Sequence, residues 1–150
     1  GKALLPEAPF ERAQVRALMK EIELYIELPA RACFGEAFFG AILTDAIKLK
    51  ARDELVAGFA ALKRHGRFAP FVAGGQFTLA DILFLYSVDL GATVGRILFG
   101  LDLLGDCAPA RALLQRLGEN PNVMQLAARR DEAMPGFIAA VQAKAKASAG

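Results

Sequence analysis

Apolar residues recur along this chain with the 3.6-residue period of an α-helix, and no stretch alternates strictly enough to predict a strand. From Phe10 onward, Val15, Leu18, Met19, Ile22 and Ile26 fall on one stripe, with Glu11, Arg12, Arg16 and Glu23 off it. Pro9 stands where a first-turn proline is tolerated. Pro29 sits where the helix should continue, so the pattern predicts a kink or an interruption near Ile26. Cys33 to Ala41, with Gly35, Gly40 and three phenylalanines (Phe34, Phe38, Phe39), reads as an irregular, largely buried connection. A second long helix is predicted over 44–65, with Ile47, Leu55, Phe59 and Leu62 as its apolar face. Its basic end, Lys63-Arg64-His65, suits the negative pole of the helix dipole, and Gly66 supplies the C-cap.

After a loop from Arg67 to Phe77, a third helix begins at Thr78. Leu79, Ile82, Leu83, Phe84, Leu85 and Val88 leave it almost no wet face. Such a helix should be buried on all sides and form the centre of the fold. The glycine-punctuated stretch from Arg96 to Gly105 gives no clear reading. Helical pattern resumes at Pro109 to Leu117, again from Asn122 to about Glu132, and from Pro135 to about Lys146. The expected architecture is an all-α bundle with a central buried helix, one domain over 1–150.

Composition narrows the function classes. With 150 residues and 55% hydrophobic content, the chain can bury a real core, which excludes intrinsic disorder. Eighteen basic against 16 acidic residues leave a net charge of +2, too little positive field to favour nucleic-acid binding. No uninterrupted apolar run reaches the length of about 20 residues that a bilayer span needs, so no membrane partner is expected. The apolar stretch at Leu4-Leu5 is far too short for a signal peptide, and the first residue is Gly1, not Met. Cys33 and Cys107 form no C-x-x-C pair, and with His65 the one histidine a His/Cys zinc site lacks ligands. The cysteines read as small apolar residues of a reduced, cytoplasmic protein. Carboxylates scatter along wet helix faces and suggest no acid–base pair.

The most specific segment is Gly74-Gly75-Gln76-Phe77-Thr78-Leu79-Ala80-Asp81-Ile82. Thr78 can cap the third helix by accepting from the amide of Asp81, while Asp81 reaches back to the amide of Thr78, a capping box with Asp for Glu or Gln. Phe77 and Ile82 are placed as a hydrophobic staple. By itself this motif is structural: a buried helix N-terminus has amides that must be satisfied.

The run Phe71-Val72-Ala73-Gly74-Gly75, then Thr78-Leu79-Ala80-Asp81, opening a central buried helix, resembles the C-terminal helical domain of the glutathione S-transferase superfamily. The opening Leu5-Pro6-Glu7 through Ile22-Glu23-Leu24 is similar to that domain's first helix. Asn120-Pro121-Asn122-Val123, Arg129-Arg130 and Met134-Pro135 are similar to its later loop and last helices. The resemblance covers essentially the whole chain, without choosing a class within the superfamily.

The resemblance implies glutathione as co-substrate, held mainly by a thioredoxin-like domain that also supplies the catalytic residue. No such pattern occurs here, so no catalytic residue is expected in this chain, which alone should be inactive. The helical domain is expected to wall the pocket of a small hydrophobic electrophile and to build a homodimer interface with its first two long helices. Tyr25, Glu27, Leu28 and Arg31, on the far half of the first helix, are the substrate-binding candidates the resemblance implies. They would orient glutathione or the electrophile near developing charge. Read without the resemblance, Tyr25 is a helix residue with a buried ring, and Glu27 and Arg31 are an i, i+4 ion pair that Pro29 threatens. His65 reads as an exposed helix-end cation. The alternative function is a free-standing, non-catalytic interaction scaffold of the same fold.

Overall fold

The structure is a computed structural model describing residues 3–148. Among these residues eight α-helical segments account for nearly all regular structure, with one isolated bridge between Phe71 and Gly74. The first, α1 (Pro9–Ile22), starts with Pro9 in its first turn and buries Val15, Leu18 and Ile22. It does not break at Pro29. A proline there cannot donate to the carbonyl of Tyr25, and its ring presses on that carbonyl. The helix answers by widening: Glu23–Glu27 form a π-turn, closed by the Leu28 amide donating to the Glu23 carbonyl, before α2 (Leu28–Ala32) resumes. The Tyr25 carbonyl lies against α4 (Asp45–His65), where a β-carbon at Gly58 would stand only 2.3 Å from it. Glycine is what lets the two helices meet there.

The stretch from Cys33 to Ala41 is not an irregular buried connection. Phe34–Phe39 form a short helix, α3, ended by Gly40 at φ +70°, and none of its residues is fully buried. Its Glu36 explains the order: one carboxylate oxygen accepts from the Leu43 amide at 2.8 Å and the other from Lys48 Nζ at 3.2 Å, tying α3 to the start of α4.

Along α4 the buried residues are Ala51, Leu55, Gly58, Phe59 and Leu62. Ile47, expected on this face, is 42% exposed, because the first turn projects beyond the core. Gly66 ends the helix in extended backbone, not the left-handed cap. Its role is space, since a β-carbon would lie 2.4 Å from the Phe68 ring.

The central helical run comprises α5 (Leu79–Leu83), a second π-turn (Phe84–Val88) and α6 (Asp89–Phe99). By length and composition this run could cross a membrane. Here it packs against α1, α4 and α7 (Ala108–Gly118) as the axis of the bundle. Phe84, Val88 and Val94 are fully buried and join Ile22, Ile26, Leu55, Phe59, Leu62 and Leu113 in the core. Burial is one-sided: Ile82, Tyr86 and Ile97 are exposed. An apolar residue on every side therefore overstates how many neighbours this helix has.

Between Gly100 and α7 the chain makes a turn whose Leu104 and Gly105 carbonyls accept from the Arg111 guanidinium. The last helix, α8 (Pro121–Ser148), is one helix where two were expected. Pro135 removes an amide that would have bonded the Asp131 carbonyl. Residues from Ala128 to Phe137 are exposed, so water can satisfy that carbonyl and the helix continues.

Candidate functional site

The capping segment has the geometry its spacing predicts, with additions. Asp81, fully buried, accepts from the Thr78 amide at 2.8 Å, and the Thr78 hydroxyl donates to the same carboxylate at 3.2 Å. Thr78 Oγ1 accepts from the amides at the helix start, with the Ala80 amide at 3.3 Å. The other oxygen of Asp81 accepts from the Val72 amide at 2.8 Å, so one carboxylate both caps the central helix and pins the preceding loop. Phe77 stacks edge-to-face on Phe71, with centroids 5.7 Å apart. Phe77 and Ile82 both line an apolar groove of about 380 Å³, with Leu85, Tyr86, Leu117 and Leu126.

Of the four residues on the far half of the first helix, two act together. Glu27 Oε1 accepts from the Arg31 guanidinium at 2.7 Å. Glu27 Oε2 accepts from the Ser87 hydroxyl at 2.6 Å. Ser87 is buried in the second π-turn, and Glu27 ends the first, so the two wide turns meet at this bond. The Ser87 hydroxyl holds the Glu27 carboxyl below the ordinary glutamate range; burial opposes it, and Arg31 adds to it. Arg31 also lies over the Phe34 ring, 5.5 Å from its centroid. From Phe34 an edge-to-face chain runs through Phe38 and Phe39 to Phe137 of α8, with centroids 5.5 to 6.4 Å apart.

Tyr25 and Leu28 do not join this cluster. Tyr25 is 52% exposed, and Leu28, 49% exposed, lines a groove of about 510 Å³ toward α4 with Leu24, Pro29, Ile47 and Lys50. Sequence reasoning missed Ser87 and Phe137. Nothing in periodicity ties Ser87 to a glutamate 60 positions away, and Phe137 lay in a helix expected to be separate. His65 is an exposed helix-end residue, as expected, but not a free one, because its Nδ1 lies 2.5 Å from Glu21 Oε2. Cys33 is buried and free, and burial pushes its thiol up. Among the described residues no three His, Cys, Asp or Glu side chains gather as a metal-binding set.

A helical bundle turning on a capped central helix, with a wide-turned first helix beside it, defines the class of fold. Two comparisons carry it further. The chain is 57% identical over 138 residues, 92% of its length, to a glutathione S-transferase of Pseudomonas putida strain F1, and spans 63% of that relative. In structure it is similar to Gtt2 from Saccharomyces cerevisiae, with a TM-score of 0.63 and 25% identity, covering 84% of this chain and 62% of that one. No family model matches. The chain is similar over nearly its whole length to a glutathione S-transferase and has the fold of that superfamily's all-helical C-terminal domain.

Proposed function

We propose that this helical domain serves glutathione conjugation, walling the electrophile's pocket and building the interface of a homodimer in the cytoplasm. The observation that carries this reading is the 57% identity to a glutathione S-transferase across 92% of the chain. Glutathione would be bound mainly by the part of such a protein that this chain does not span. On this chain, the aromatic series from Phe34 to Phe137 offers apolar surface to a flat electrophile. Arg31, fixed by Glu27, offers a donor toward charge developing on the leaving group. Leu28 belongs to a different surface, with Leu24 on the first helix and Ile47 on α4. All three are exposed apolar residues. That surface suits the dimer interface better than the pocket.

A hybrid tests the reading. The matching 138-residue region of the Pseudomonas putida relative is replaced by this chain's, and conjugation of glutathione to 1-chloro-2,4-dinitrobenzene is followed. The hybrid should conjugate within about tenfold of the parent rate, since tenfold corresponds to little more than one lost hydrogen bond. A folded hybrid without activity, beside an active parent, overturns the proposal.

A further inference from the structure

Between α1 and the loop that follows α4 lies a cavity of about 470 Å³, lined by Gln14, Ala17, Leu18, Glu21, Arg64, His65, Arg67 and Ala73. It lies apart from the Glu27–Arg31 cluster, and neither the capping box nor the proposed pocket uses its charged groups. Three of them are unmatched. Glu21 Oε2 is taken by His65, but Glu21 Oε1 is buried with no hydrogen-bond partner among the described residues. Neither the Arg64 nor the Arg67 guanidinium has an ion-pair or hydrogen-bond partner among the described residues. A buried acceptor without a donor is uncommon in folded proteins and calls for a cause. Glu21, Arg64 and Arg67 all line this one cavity, the two arginines as exposed residues.

We propose that this cavity binds a free α-amino acid as its zwitterion. The ammonium would donate to Glu21 Oε1. The carboxylate would accept from Arg64 and Arg67, whose planar forks match its two oxygens. An apolar side chain would lie on Ala17, Leu18 and Ala73. An anion alone leaves Glu21 Oε1 unsatisfied, and a cation alone leaves both guanidiniums without a counter-charge. His65, with its side chain 58% exposed, is the group that yields as the ammonium enters beside it. Gln14 and Arg67 also border the adjoining cavity of about 370 Å³ beside Glu11 and Gln76, which leaves room for a longer side chain.

The experiment uses the full chain and three matched probes: L-norvaline, pentanoate and butylamine. Amide shifts of Gln14, Arg67 and Ala73 are followed by NMR as each is titrated. L-Norvaline should bind saturably, pentanoate about tenfold more weakly and butylamine more weakly still, because pentanoate lacks the one contact to Glu21 and butylamine the two to the arginines. Glu21→Gln should bring norvaline down to the level of pentanoate, with helical circular dichroism unchanged. Equal affinity for norvaline and pentanoate overturns the zwitterion, as does failure of all three to bind. The probe series needs no variant, so a Glu21→Gln protein that misfolds does not rescue the idea. None of these readouts involves glutathione or conjugation, so this proposal and the preceding one can fail separately.

Discussion

Asp81 holds three donors with one buried carboxylate: the amides of Val72 and Thr78 and the Thr78 hydroxyl. Removing it leaves two buried amides without acceptors. Asp81→Ala should therefore lower unfolding stability by about 3 kcal/mol or more. Asp81→Asn, which keeps one acceptor oxygen, should lose less. Urea unfolding of both variants decides it, and equal losses would mean that the second amide contributes nothing. Half of this arrangement was legible in the sequence, because Thr and Asp three residues apart before an apolar run can satisfy each other locally. The bond to Val72 was not, since it depends on how the loop from Arg67 folds back, and no local pattern encodes that path. The same division holds in the candidate site. Glu27 and Arg31 are readable as an i, i+4 pair, whereas Ser87 reaches Glu27 only through the packing of two helices.

At the scale of elements, the two wide turns are joined by that single bond between Ser87 and Glu27. The Glu27 carboxyl is held below its ordinary value of 4.5, mainly by the serine hydroxyl. A depressed carboxyl stabilises the fold in its ionised form. The contribution is therefore complete above the ordinary glutamate value and fades as pH falls through the lower folded one. Ser87→Ala should then destabilise by about 1 kcal/mol at neutral pH, and the gap to the parent should narrow below pH 4.5. Chemical denaturation of both proteins between pH 6 and about pH 3 measures it, spanning the carboxylate range. A gap that stays constant would show that Ser87 acts through packing and not through the carboxylate. Periodicity located these helices but could not see their wide turns. Pro29 gave notice of a disturbance, and Gly58 is intelligible only once the displaced Tyr25 carbonyl is seen beside it. The break expected at Pro135 failed for a related reason, because solvent tolerates a lost bond where packing does not.

At the scale of the molecule, the all-α fold and its central helix followed from pattern alone. Which apolar residues stay exposed did not follow, because that depends on the neighbours each helix finds. Leu24, Leu28 and Ile47 leave an apolar surface between the first helix and α4. If this surface closes a homodimer, replacing Leu28 and Ile47 together by glutamate should convert the dimer to a monomer without loss of helix content. Sedimentation equilibrium of parent and variant at micromolar concentration reads the result. A parent that is monomeric throughout that range, or a variant that stays dimeric, would place the interface elsewhere.

A π-turn closes its ring one residue later than an α-turn, so each wide turn lengthens its helix by one residue without lengthening its axis by a full step. Such a turn can take in a single inserted residue without shifting everything downstream. A relative with plain α-helices through both places would be one residue shorter in each. The gaps in its alignment with this chain belong at Glu23–Glu27 and Phe84–Val88, side by side where Ser87 meets Glu27.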